Sequence, residues 1–251
     1  ALVDLPATID YILQATAFDQ VSFVGHSQGC ALMLALLAKY TEYNEKISVN
    51  IAMAPVVHAK LIRSPMLVSF FRSANQSRAL NLLPPQEYFF MSGAVQQFFL
   101  NGACQVPISV ASCVMTTEAM FGQSSRISTM QYKRYWQSWP SSTSYWNALQ
   151  WSQMYSEPKP AFTAFNYGPE YNLTAIRAPT VLFSGGRDVL AADSDIALTR
   201  QKLAAGGSLA GWNAQDDYSH MDFIWDSEGA SRLVYPLVLR ALASMPAQQR
   251  T

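Results

Sequence analysis

The residues of this chain with the clearest capacity for chemistry lie in Gly25-His26-Ser27-Gln28-Gly29. A short run rich in β-branched and aromatic residues, Val21-Ser22-Phe23-Val24, leads into it, and a helical run from Cys30 to Tyr40 follows at once. Strand, sharp turn and helix in that order are what a nucleophile elbow needs. The serine is held in a strained turn with its hydroxyl exposed, and the flanking glycines are expected to let two backbones pass close together. The bare spacing G-x-S-x-G is weak, and the elements on both sides are what make Ser27 a candidate nucleophile for acyl transfer.

A serine hydroxyl attacks only when a neighbouring base takes its proton, and the chain has three histidines. His26 adjoins Ser27, and its side chain is expected to point away from the serine. His58, which follows the second predicted strand at the start of a different stretch, reads first as a capping or packing residue and only second as the base. His220 lies in a polar loop after the last strand-helix unit, which gives the chain order serine, acid, histidine and makes it the favoured base. The acid should sit in a loop after a strand, where its carboxylate can hold the other imidazole nitrogen. Asp188 meets that condition, because it follows Val181-Leu182-Phe183-Ser184 through Gly185-Gly186. Asp193 and Asp195 read as helix caps, and Asp217 and Asp222 are too near His220 in sequence to be the first choice. For the developing oxyanion, the backbone N–H of Gln28 is one donor. The second normally comes from a loop after an earlier strand, often marked His-Gly. No such segment occurs in the 26 residues before Ser27, so the site is expected to be incomplete within this chain.

The elements that must position these groups are legible at both ends of the chain. Helix is predicted over about 5–16, with Asp4 as candidate cap and Pro6 in the first turn, then strand over 20–24, helix over 28–40 and strand from Ile47 to Ala54. From Val56 to Pro160 the pattern changes to Phe, Tyr, Trp and Met broken by prolines and serines, including Phe70-Phe71, Tyr88-Phe89-Phe90-Met91, Phe98-Phe99 and Tyr135-Trp136. That stretch reads as a mostly helical insertion. A buried strand over Ala178–Ser184 follows, then a helix from about Ser194 to Ala205 that Gly206 stops. A last helix begins near Ser227, and Pro236 must kink or split it. The sheet pieces at the two ends pack together, with the insertion looping over their carboxyl edge. The predicted organisation is therefore a core of residues 1–55 and 161–251 and a helical cap of residues 56–160.

Composition sets limits on function. The 251 residues are 50% hydrophobic and 14% charged, enough for a large core, and the net charge of zero without a basic run argues against a nucleic-acid partner. The longest apolar stretch, Cys30 to Ala38, is too short to span a bilayer and reads as a buried helix behind the elbow. Cys30 then reads as inert packing. Cys104 and Cys113 could close a local disulfide, which their count alone does not decide. The sequons at Asn75 and Asn172 point to a secreted route. No metal-ligand pattern or cofactor motif is found, and neither is expected. The chain opens directly into a packing helix, which reads as a fragment or a processed product.

Several longer segments resemble the gastric and lysosomal acid lipase family. They are Asp4-Leu5-Pro6-Ala7-Thr8-Ile9-Asp10, the Ser27 pentapeptide, Met53-Ala54-Pro55-Val56, Tyr171-Asn172-Leu173-Thr174-Ala175-Ile176, Gly185-Gly186-Arg187-Asp188-Val189-Leu190-Ala191 and Tyr218-Ser219-His220-Met221-Asp222-Phe223-Ile224-Trp225. The resemblance implies an α/β-hydrolase core with a helical cap and lid, acting on neutral lipid esters at an interface in a secreted or lysosomal setting. It maps the nucleophile onto Ser27, the acid onto Asp188 and the base onto His220. It also implies pairing of Cys104 with Cys113, and places Phe121 where some members carry a third cap cysteine. Three departures stand out. The family has well over a hundred residues before the point matching Ala1, so an amino-terminal partner segment is implied. The segment Gly206 to Asp216 is short and polar where the family has a strand. Pro236 interrupts the last helix. The expected function is a serine carboxylic ester hydrolase acting through an acyl-enzyme. The rival is a non-catalytic or impaired lipid-binding fragment without a complete oxyanion hole.

Overall fold

Strands β1 (Val21–His26), β2 (Ile47–Met53), β3 (Thr180–Gly185) and β4 (Leu209–Gln215) lie side by side in chain order, every pair parallel. The computed structural model describes residues 1–77, 102, 104–106, 109–139 and 143–247. β2 and β3 are buried along their whole length, as a parallel sheet covered on both faces requires. Two of their polar interior residues bond to each other within the sheet, where Asn50 donates to Thr180 Oγ1 and Thr180 donates to the Ala178 carbonyl, while the Asn50 side-chain oxygen has no partner. β4 alternates between partly buried and exposed residues, as expected for an edge strand.

Parallel neighbours need crossover connections, and helices supply them. After α1 (Asp4–Ala15), α2 (Gln28–Lys39) links β1 to β2; Cys30, Met33, Leu34, Leu36 and Leu37 along it are fully buried. Burial pushes the Cys30 thiol far up, so it stays protonated, as inert packing requires. Between β2 and β3 the described residues form α3 (Pro65–Ser77), α4 (Val110–Phe121), α5 (Thr129–Tyr135) and α6 (Tyr145–Ser156), with one isolated bridge between Thr163 and Glu170. The Tyr88-Phe89-Phe90-Met91 and Phe98-Phe99 runs lie outside the described residues, as does the side chain of Asn75 in α3. Cys104 and Cys113 form a disulfide inside an aromatic cluster with Tyr132, Trp136, Met221 and Trp225. That cluster ties α4 and α5 to α8 (Asp222–Trp225), directly after His220. α7 (Asp193–Gly206) joins β3 to β4.

Several local expectations are corrected. The segment after Gly206 does form a strand, β4, in register with β3 from Thr180 to Gly185. Its small and polar residues conceal it because an edge strand needs only one apolar face; exposed Trp212 is held by its indole N–H on Ser184 Oγ and by the Arg200 guanidinium 3.5 Å from its ring centre. Asp4 is the first residue of α1, and its cap position is Val3. Ala192 precedes α7, so neither Asp193 nor Asp195 caps it. The break at Pro236 takes the form of a split: a π-helical turn, Ala230–Val234, gives way to α9 (Tyr235–Ser244), with the proline in its first turn, where its missing N–H costs no helical bond.

Asp195 is wholly buried. It accepts the backbone N–H groups of Val57 and His58 and lies 2.7 Å from His58 Nδ1, with Thr199 Oγ1 donating as well. The segment after β2 is thereby fastened to α7. Replacing Asp195 with Ala leaves His58 and two buried N–H groups without their acceptor. We expect this to cost about 3–5 kcal/mol in urea unfolding, whereas Ala at exposed Asp193 should cost within about 0.5 kcal/mol. Equal midpoints for the two variants would contradict this role.

Candidate active site

Ser27 sits between the end of β1 and the start of α2 with φ 56° and ψ −122°, a left-handed conformation that a serine adopts only under strain of order 1–3 kcal/mol. Its N–H donates to the Met53 carbonyl at the end of β2, and its carbonyl accepts from Cys30 N–H. The two flanking glycines differ. A Cβ at Gly25 would press on the Phe23 ring and on the Cys30 amide, so strand and helix approach closely there. A Cβ at Gly29 would meet nothing within 4 Å, so the expected close approach occurs at Gly25 alone. Gln28 opens α2, and helix N–H groups in the first turn have no intrahelical acceptor.

The other two candidates converge on Ser27 from far along the chain. His220 Nε2 lies 2.7 Å from Ser27 Oγ, and His220 Nδ1 lies 2.8 Å from Asp188 Oδ2. Asp188 is buried in the loop after β3, and its second oxygen accepts the N–H groups of Leu190 and Ala191 at 2.8 and 2.9 Å. An ionised Asp188 can only accept, so His220 donates from Nδ1 and leaves Nε2 to accept the serine proton. The arrangement can deprotonate Ser27 and hold the resulting imidazolium.

The competing residues are engaged elsewhere. His58 pairs with Asp195. Asp217 is bound by the Arg126 guanidinium, with Nε at 3.0 Å. Asp222 is fully buried, accepting the Ser219 N–H and the Ser124 hydroxyl. It braces the loop that carries His220. Among the described residues, no group of three His, Cys, Asp or Glu side chains could hold a metal ion.

Three contacts around the site were not foreseen. Phe121, at the end of α4, accepts the His220 N–H through its carbonyl at 3.0 Å and lies nearly parallel to the His220 ring, 10° off, at 5.7 Å. Gln28 and Asn147 of α6 exchange amide hydrogen bonds of 2.8 and 3.2 Å across the turn. The His26 side chain reaches the backbone of His220, with Nε2 2.8 Å from that carbonyl. Crowding by protein, with the neighbouring His220 ring as the second cause, depresses His26 to about 3. No sequence signal marks these partners, since each lies on a different element. Beside Gln28 an open groove of about 850 Å³ runs past Leu32, Trp146, Trp151, Phe162 and Phe165.

The model for the α/β hydrolase fold matches residues 1–227. The chain is similar to gastric triacylglycerol lipase of Rattus norvegicus, at 28% identity over 97% of this chain and 63% of the relative. It is equally similar to lysosomal acid lipase/cholesteryl ester hydrolase of the same species, at 28% identity over 95% of the chain and 62% of the relative. The chain thus spans a little under two thirds of the length of these relatives. Among solved structures, a soluble variant of monoglyceride lipase from Saccharomyces cerevisiae in complex with a substrate analog shares the fold with a TM-score of 0.58. Identity there is 11%, over 96% of this chain and 69% of that one.

Burial raises the Asp222 carboxyl above its ordinary value of 3.8, against the lowering effect of its hydrogen bonds from Ser124 and Ser219. The folded chain therefore holds this proton more tightly than the unfolded chain does. The contribution to stability is complete below the ordinary value and is lost as pH rises through the raised one. Asp222→Asn removes that titration, so its melting temperature should fall less between pH 4 and 6 than the parent's. Identical slopes in a thermal-unfolding series would contradict the assignment.

Proposed function

The chain belongs to the α/β hydrolase fold family, and from that premise we propose that it acts as a serine carboxylic ester hydrolase on neutral lipid esters, triacylglycerols or sterol esters. The observation that carries this reading is the unbroken hydrogen-bond chain from Ser27 Oγ through His220 to Asp188. Ser27 attacks the ester carbonyl while His220 takes its proton. The Gln28 N–H receives the oxyanion. His220 then gives the proton to the leaving alcohol, and water activated by the same imidazole releases the fatty acid from the acyl-enzyme. The unbroken chain also weighs against a purely lipid-binding role.

The substrate class is supported by the names of the relatives and by the groove beside Gln28, which carries Leu32, Trp146, Phe162 and Phe165 among polar residues. We assign residues 56–160 to a helical cap over a core of residues 1–55 and 161–251. Its exposed Met115, Met130 and Trp146 suit contact with a lipid surface. Among the described residues β1 has β2 as its one neighbour in the sheet, and Val24 on it is 43% exposed. An amino-terminal segment with its own strand would cover that edge and supply the second oxyanion donor. No helix among the described residues is long and apolar enough to cross a membrane. The Cys104–Cys113 disulfide, exposed Asn172 as a glycan acceptor with Asn75 as a second, and the gastric and lysosomal relatives support a secreted or lysosomal location.

In the full chain, Ser27→Ala is expected to lower kcat for emulsified triacylglycerol by about 10⁵–10⁶-fold, and Asp188→Ala by about 10⁴-fold. Fatty-acid release followed by titration measures both. Undiminished release from the serine variant would sink the proposal.

A further inference from the structure

His26 and Ser27 are consecutive, yet both bond to the same distant residue, 194 and 193 positions along the chain. Ser27 meets the tip of the His220 ring and His26 meets its main-chain carbonyl. A carbonyl only accepts, so His26 donates from Nε2 and is the Nε2–H tautomer when neutral. The two rings lie 4.8 Å apart at 47°, while the Phe121 carbonyl takes the His220 N–H. The backbone of His220 is thus bonded on its N–H by the end of α4 and on its C=O by the same turn that carries the nucleophile.

We infer that His26 is a positioning residue for the proton transfer: it fastens the His220 main chain to the Ser27 turn, so that nucleophile and base move as one unit. This rests on the reading of Ser27, His220 and Asp188 as a hydrolytic triad. The loop carrying His220 is otherwise anchored by the helices, through Asp222, the aromatic cluster and the Phe121 carbonyl, and by the loop after β3, whose Arg187 N–H donates to the Tyr218 carbonyl; none of these belongs to β1. Without His26, a shift of those helices would open the 2.7 Å contact to Ser27, and displacements near 1 Å can cost roughly a hundredfold in rate. The role also requires a neutral ring, because a second cation would oppose the imidazolium that forms on His220. The depression of His26 to about 3 meets that requirement in mildly acidic media.

The test compares His26→Leu, which keeps bulk and loses the donor, with His26→Gln, whose side-chain amide can reach the same carbonyl. In the full chain, His26→Leu is expected to lower kcat for a soluble short-chain p-nitrophenyl ester about tenfold with KM within about twofold. His26→Gln should restore kcat to within about threefold of the parent. Unchanged kcat in the leucine variant, or equal losses in both variants, overturns the inference. If His26→Leu does not fold, His26→Asn, too short to reach the carbonyl, replaces it with the same expectation. A second readout does not need turnover: the low-field Nδ1 proton of His220 in NMR should keep its position in His26→Gln and move or vanish in His26→Leu. The same position in both overturns the inference. If the parent shows no Ser27-dependent turnover, the triad reading fails, and this proton signal still decides the role of His26.

Discussion

A buried imidazole with both nitrogens hydrogen-bonded can exist only where two separate segments deliver an acceptor and a donor to it together. His220 is 1% exposed and has Asp188 on one nitrogen and Ser27 on the other. Left unpaired, either nitrogen would cost on the order of 1–3 kcal/mol. The parallel sheet meets this demand by ending β1 and β3 on the same edge, with β2 between them as spacer and as acceptor for the Ser27 amide. The strained Ser27 backbone, the close approach at Gly25 and the Asp188 loop all serve this one arrangement.

The helices on the far side of the imidazole complete the constraint. α4 contributes the Phe121 carbonyl and ring, and the disulfide-linked aromatic cluster holds Met221 and Trp225 on either side of Asp222. α6 reaches the turn from another direction through Asn147 and Gln28. The helical stretch is therefore bonded to His220 and to the turn that bears Ser27, so any movement of these helices acts on the geometry of the Ser27–His220 contact itself.

Much of this was legible in the residues. The order of β1, Ser27 and α2 followed from a β-branched run, a G-x-S-x-G turn and an apolar helix, because local propensity and tertiary role agree there. β3 was legible as a short apolar run, and Asp188 as the carboxylate after it. What escaped were features decided by distant partners. β4 hides because an edge strand needs little apolar residue. Asp195 resembled a cap because it stands in the first turn of a helix, yet its carboxylate is spent on His58. The partners of Gln28, Asn147, Phe121 and His26 were illegible because they are between 99 and 194 residues away, and no local pattern encodes such a pair.

The central claim is that His220 activates Ser27 as a nucleophile. A phosphonate ester that reacts only with an activated serine tests it directly, with the adduct located by peptide mass spectrometry on folded full chain. The account predicts one adduct per chain, on the peptide containing Ser27, and none when His220 is replaced by Ala. An unlabelled Ser27 in the folded parent, or equal labelling in the His220→Ala variant, would contradict it.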